Sequence, residues 1–226
     1  MKLTRVKTKT FAAKLFWVFC LILLLAPVES NAQDAKAESG LEELLKIVQP
    51  GDILFQDIQS DQSLAIKLAT DSKYSHCGMI LEHKGQLMVL EAVMPVRYTS
   101  IASWINRDDK QRFALLRLKK EYAVLTPEVL AEMSGQATSM LGKSYDIYFN
   151  WSDQELYCSE LVWKIYQRAM RLELCPLREL RSYNLESKIV RYKLEERYGK
   201  NIPLDEKMVA PEDIFLSNKL EAILVQ

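Results

Sequence analysis

Two periods of apolar and polar residues divide the chain. LEELLKIV (41–48) places apolar residues at helical spacing and ends before Pro50-Gly51, which predicts a short helix. A short strand, DILF (52–55), follows, and then a helix, SLAIKLATDS (63–72), capped by Asp61 or Ser63. HCGMILE (76–82) and LMVLEAV (87–93) read as strands on either side of Lys84-Gly85, a hairpin signal. Downstream the pattern predicts a helix over 100–107, a strand over 112–118, and a helix that Thr126-Pro127 opens and Gly142 stops. A tyrosine-rich loop, KSYDIYFNWSDQELY, leads into a strongly periodic helix, 158–171. A charged helix over about 185–198, a helical turn after Pro211 and a last strand, EAILV, complete the order. No internal repeat or low-complexity linker interrupts it.

The hairpin carries the first chemical clue. His76 and Cys77 are adjacent, but neighbours on a strand point to opposite faces, so Cys77, Met79 and Leu81 share one face and His76, Gly78 and Ile80 the other. With Lys84-Gly85 as a two-residue turn, cross-strand partners have numbers that sum to 169: Leu81 with Met88, Met79 with Leu90, Cys77 with Ala92. That face is apolar on both strands, and Cys77 reads as a core residue that points away from the imidazole. The same register sets Glu91 opposite Gly78 and diagonal to His76, roughly 7 Å away at the backbone. Gly78 leaves the space between them open. Two readings of Glu91 follow: a carboxylate that orients the imidazole and fixes its tautomer, or a solvent-facing residue at an edge. His83 borders the turn on the Cys77 face and reads as a surface residue. Asp52 and Gly51 shape the turn into the first strand, with Asp52 closing a local hydrogen bond.

The N-terminus changes the picture of where the chain works. Lys2, Arg5, Lys7, Lys9 and Lys14 precede a 12-residue apolar run, LFWVFCLILLLA (15–26), which is followed by Pro27 and by the small residues Ser30 and Ala32. This pattern predicts a secretory signal over residues 1–32, cleaved after Ala32, with the remainder, 33–226, as a single domain in the periplasm or outside the cell. The alternative is an uncleaved anchor; the run is shorter than the ~20 residues that span a bilayer, and no stable membrane span is expected after cleavage. Of 30 basic and 30 acidic residues, five and one respectively lie in that segment, so the mature chain carries 25 and 29 and is mildly acidic. Its basic residues form no stripe, which excludes nucleic acid as an expected partner. With Cys20 removed, Cys77, Cys158 and Cys175 remain, and three cysteines leave at least one free thiol. There is no CxxC and there are only two histidines, so neither a metal site nor a cofactor is expected. Cys175 has no assigned role.

Cys158 begins a helix, where unpaired backbone N–H groups and the positive end of the helix dipole favour a thiolate. Helical spacing aligns it with Leu161, Val162, Ile165 and Ala169 toward the protein body, while Ser159, Lys164 and Arg168 are expected to face water. Position alone leaves two roles open, a nucleophile served by His76 or a small buried packing residue.

PGDILF, SHCGMIL and YCSELVWKIY resemble the three sequence blocks of the NlpC-type papain-like cysteine hydrolases, in which the cysteine block usually comes first. Here it comes last, an order similar to the circularly permuted, YiiX-like branch; LGKSYD (141–146) and APEDIFLS (210–217) also resemble parts of it. The resemblance covers roughly residues 48–218. It implies a papain-like α+β fold, an antiparallel sheet packed against the helix carrying the cysteine, with Cys158 as nucleophile, His76 as general base and Glu91 orienting it. Cys77 stands where the family more often has valine, and Tyr157 where it more often has aspartate. Tyr145 and Tyr157 are candidate cleft residues.

The expected activity is hydrolysis of an amide through an S-acyl enzyme, with peptide bonds of cell-wall material as the substrate that the resemblance suggests. A lipid-directed thiol acyltransferase or lipid hydrolase is the second hypothesis, and it predicts an apolar cleft near Cys158. A binding protein that has lost turnover is the third. The oligomeric state is not legible in the sequence.

Overall fold

In the computed structural model, which describes residues 32–108 and 112–226, the elements run α1 (Ala32–Ile47), β1 (Ile53–Gln56), α2 (Asp61–Thr70), β2 (His76–His83), β3 (Gln86–Glu91), β4 (Arg97–Ser100), α3 (Ile101–Ile105) and β5 (Phe113–Leu118). Then come α4 (Pro127–Met140), α5 (Cys158–Met170), β6 (Arg178–Glu179), α6 (Lys188–Tyr198), β7 (Lys207–Met208), α7 (Pro211–Phe215) and β8 (Leu220–Val225). Ala37–Gln226 form one compact unit. The leader expected over residues 1–32 lies outside the described residues apart from Ala32, and no described helix is long and apolar enough to cross a membrane.

Six strands form one sheet in the order β4-β3-β2-β1-β5-β8, with every neighbour antiparallel. Lys84 and Gly85 both take positive φ, as a tight hairpin turn requires, and the ladder sets Leu81 opposite Met88 and Met79 opposite Leu90, the register read from the sequence. The pairing of β2 with β3 ends at Met79 and Leu90, while β3 continues to Glu91, which pairs with Arg97 of β4. Alternation along the strands makes two cores. Ile53, Phe55, Cys77, Met79, Leu81 and Leu90 pack with Leu161, Val162 and Ile165 of α5 and Met133 and Ala137 of α4. Leu54, Ile80, Val89 and Leu115 pack on the other face with Leu44 of α1 and Ile101 and Trp104 of α3. Burying each of these large side chains is worth about 1.5–3 kcal/mol, so both helical layers are driven onto the sheet by its apolar strands. The antiparallel sheet packed on the cysteine-bearing helix is the arrangement the resemblance implied.

The turn into β1 is closed as expected and then reinforced. The Gln49 N–H donates to Asp52 Oδ2 at 2.8 Å, and Arg117 of β5 grips the same carboxylate with Nε and Nη2, each at 2.7 Å. Gly51 holds φ at +91°, and its carbonyl accepts a 2.6 Å bond from the Tyr166 hydroxyl of α5.

Local departures have local causes. The cap of α2 is Ser60, whose hydroxyl accepts from Ser63 N–H at 3.1 Å, rather than Asp61 or Ser63, and the helix starts two residues earlier than its apolar pattern. β4 escaped the sequence reading because RYTS is short and begins two residues after Pro95, and the β6–β7 ribbon because each strand has two residues. His83 is half-buried, stacked on Tyr98 with ring centroids 4.2 Å apart, since β4 supplies a neighbour at that edge. Ser159 and Lys164 of α5, expected to face water, are both buried. The Ser159 hydroxyl donates to Val209 O at 2.7 Å, and the Lys164 ammonium lies 2.7 Å from Glu160 and 2.9 Å from Asp153. A polar residue on a helix covered by loops meets partners instead of solvent, a distinction that periodicity does not encode.

Candidate active site

Cys158 is the first residue of α5, and the local sequence explains why the helix begins there. Tyr157 is extended, with φ −101° and ψ 167°, and the Glu160 carboxylate reaches back to accept its N–H at 3.3 Å. Leu161 N–H closes the first helical bond on Tyr157 O at 3.0 Å. Upstream, Leu156 bridges Tyr145, while the buried Asp146 carboxylate accepts from the N–H groups of Tyr148 and Asn150, both at 2.7 Å. Downstream in sequence, Val209 N–H donates to the Tyr157 hydroxyl at 3.2 Å. The thiol is therefore held between two ordered loops.

His76 opens β2, at the end of the strand where both layers of the fold come within reach. Its Nε2 lies 2.9 Å from Glu91 Oε2, its ring stacks on Trp104 with centroids 6.0 Å apart, and it is hydrogen-bonded to Cys158. Nε2 is engaged by the carboxylate, so Nδ1 is the nitrogen left for the sulfur. Glu91 is fully buried and accepts three further bonds: from Thr99 Oγ1 at 2.6 Å, from Arg107 Nη1 at 2.5 Å and from Arg107 Nη2. This is a two-pronged guanidinium–carboxylate pair, the strongest geometry open to the two groups. Gly78 lets β2 lie close against β3 beside this contact. A Cβ there would stand 2.5 Å from Val89 Cγ1 and 3.5 Å from Glu91 Cβ.

The charges follow from these contacts. Burial opposes ionisation of Glu91, but Arg107, His76 and Thr99 outweigh it and hold the carboxyl at about 2. Burial alone would lower His76; hydrogen bonds and attraction from the Cys158 thiolate and Glu91 instead raise it to about 9. Cys158 is pulled well below 9 by the Cys77 thiol hydrogen-bonded to it and, against the opposing effect of burial, by His76. These shifts run in the direction of a thiolate–imidazolium pair backed by a carboxylate.

All three residues that the resemblance implied are therefore brought together. Tyr145 and Tyr157 line a cleft of about 790 Å³ whose wall includes Cys158. Its other walls are mostly apolar, with Ala65, Ile66 and Ala69 from α2, Val190 and Leu194 from α6, and Met208, while Lys193 and Arg197 of α6 are the basic members. The sequence reading missed Arg107 and Thr99, which are 16 and 8 residues from Glu91 and meet it only through the β3–β4 pairing and the turn after α3. It also missed the α6 wall, for which no linear signal exists. Cys77 is the fully buried core residue that the alternation predicted, and because α5 covers its face of the sheet, its thiol also acts on that of Cys158.

Three comparisons fit this geometry. Residues 47–224 match the model of a family described as permuted papain-like amidase enzymes, YaeF/YiiX, C92 family. The uncharacterized protein YiiX of Escherichia coli (strain K12) is 42% identical over 175 residues, 77% of this chain and 85% of that one. The crystal structure of metalloprotein yiiX from Escherichia coli O157:H7 superposes with a TM-score of 0.74 at 41% identity, covering 79% of this chain and 97% of the other.

Proposed function

The chain belongs to the permuted papain-like amidase family, YaeF/YiiX, C92, and on that premise we propose that it hydrolyses an amide through a covalent S-acyl intermediate on Cys158. The observation that carries the reading is the buried contact of Cys158 with His76, itself bonded to Glu91. In this mechanism the thiolate attacks the carbonyl carbon, and the oxyanion is met by N–H groups of the first turn of α5, which a helix leaves without intrahelical acceptors. The His76 imidazolium gives its Nδ1 proton to the departing amine. Water then enters, His76 takes a proton from it, and hydrolysis of the thioester returns the thiol. Glu91 and Arg107 stay charged and hold the ring in place.

The related crystal structure is described as that of a metalloprotein. Among the described residues of this chain no group of three or more His, Cys, Asp and Glu side chains is placed to hold a metal ion, and the mechanism contains no metal step. The leader expected from the sequence supports a reaction in the periplasm or outside the cell, and the substrate proposed there is a peptide or acyl-bearing envelope component.

A second reading is favoured by one observation. The cleft beside Cys158 is lined mainly by hydrocarbon, which suits the alkyl chain of a lipid acyl group better than a polar peptide. A lipid-directed hydrolase or acyltransferase uses the same thiolate. Incubation with cell-wall peptides and with acyl lipids in separate reactions, followed by mass spectrometry of Cys158, distinguishes the two: the substrate is the class that leaves its acyl group on the sulfur. Substituting Val190→Trp, which fills the cleft, is expected to suppress a lipid adduct while leaving Cys158 alkylation intact. Absence of an adduct from either class counts against both readings.

A further inference from the structure

Cys77 is a buried nucleophilic group that the hydrolytic cycle does not use. It is fully buried on β2, on the face covered by α5, and it belongs to the same core cluster as Cys158. Cys77 lies in the layer between β2 and α5 with Cys158, the two thiols are near enough to act on each other's ionisation, and both cysteines are free. They sit on two packed, regular elements, a strand and the first turn of a helix, so their proximity is a fixed feature of the fold. Cys158 also lines the cleft, whereas Cys77 does not. A small oxidant entering the cleft therefore reaches Cys158 first.

We propose that Cys77 is a resolving cysteine, and that hydroperoxides convert the Cys77–Cys158 pair into a reversible disulfide that shuts off and protects the nucleophile. The inference rests on the reading of Cys158 as the reactive thiolate but not on its substrate. The Cys158 thiolate attacks the terminal peroxide oxygen; the O–O bond breaks, a sulfenic acid forms, and the departing alkoxide or hydroxide takes the proton of the His76 imidazolium. The Cys77 sulfur then attacks the Cys158 sulfur; the S–O bond breaks, and the departing hydroxide takes the proton of the Cys77 thiol and leaves as water. Two thiols and one hydroperoxide become one disulfide, one alcohol and one water. Burial holds the Cys77 thiol well above its ordinary range, so it stays protonated at neutral pH and is not itself the first target of the oxidant. Cys175 is also buried, and no hydrogen bond joins it to either sulfur among the described contacts.

The test oxidises the full chain with one equivalent of hydrogen peroxide, alkylates the remaining thiols and maps peptides without reductant. The expected product is a cross-linked pair of peptides containing Cys77 and Cys158, lighter by two hydrogens than the free peptides, which dithiothreitol dissolves to restore alkylation of Cys158. In Cys77→Val, which keeps an apolar side chain of similar size, the same treatment is expected to drive Cys158 to sulfinic acid, which dithiothreitol does not reverse. Mapping of the unmutated protein decides the question even where that variant folds poorly. A cross-link through Cys175, or irreversible oxidation of Cys158 at the same rate with and without Cys77, overturns the proposal. The readout is thiol state rather than turnover, so the hydrolase reading stands or falls separately: oxidation of Cys158 to sulfinate alone sinks the disulfide but not the thiolate. Failure of Cys158 to react with peroxide at all counts against both.

Discussion

Glu91→Gln isolates the charge that holds His76 in place while keeping the side chain's shape. A carboxyl held at about 2 rather than 4.5 carries roughly 3 kcal/mol of stabilisation at neutral pH, at about 1.4 kcal/mol for each pH unit. The variant should be less stable than the parent by about that amount at pH 7. Because the folded carboxyl is depressed, its contribution is complete above the unfolded value of 4.5 and fades as the pH falls toward about 2. The gap between the two proteins should therefore narrow by about 2 kcal/mol between pH 7 and pH 3. Urea unfolding of both proteins, followed by tryptophan fluorescence at several pH values in that window, measures the gap directly. Iodoacetamide alkylation of Cys158 at pH 6 provides the functional arm, and should slow in the variant as His76 loses the counter-charge that keeps it protonated. A penalty that is the same at pH 7 and pH 3 would show that Glu91 contributes shape alone, and the electrostatic account of the site would be wrong.

Two further substitutions probe the supports. Gly78→Ala puts a methyl group 2.5 Å from Val89 Cγ1 inside a filled layer, so it should cost about 1–3 kcal/mol of stability; an unchanged melting temperature refutes it. Lys164→Met removes the partner of Glu160, whose carboxyl burial has already raised to about 7. A raised acid destabilises progressively as pH climbs above its ordinary value, and loss of the ammonium raises it further. The penalty of Lys164→Met should thus grow from pH 6 to pH 9, to several kcal/mol, and a penalty flat in pH denies that Glu160 titrates there.

The limits of sequence reading fall where contacts cross the fold. The hairpin was legible as far as Met79 and Leu90, because the positive-φ turn at Lys84-Gly85 and the two-residue period together admit one register, and extending that register sets Glu91 near His76 even though the ladder itself stops one pair short. The start of α5 was legible from the polar residues before Cys158 and the apolar stripe after it. What surrounds the helix was not: Ser159 and Lys164 have the polarity of surface residues, yet loop carbonyls and acids from distant segments satisfy them in the interior.

By itself, then, the sequence determined the local pieces: a strand that separates His76 from Cys77, a hairpin that brings Glu91 to the imidazole, a helix that opens on Cys158, and a block order similar to that of a permuted papain-like family. The tertiary structure decided how charge and space are distributed around them. Arg107 reaches Glu91 through a turn that follows a different helix, α2 and α6 pack together to wall an apolar cleft, and α5 lies on the face of the sheet that carries Cys77. Sequence periods report which side of an element is apolar. They do not report which other element covers that side, and it is the covering element that turns a core cysteine into the neighbour of a thiolate.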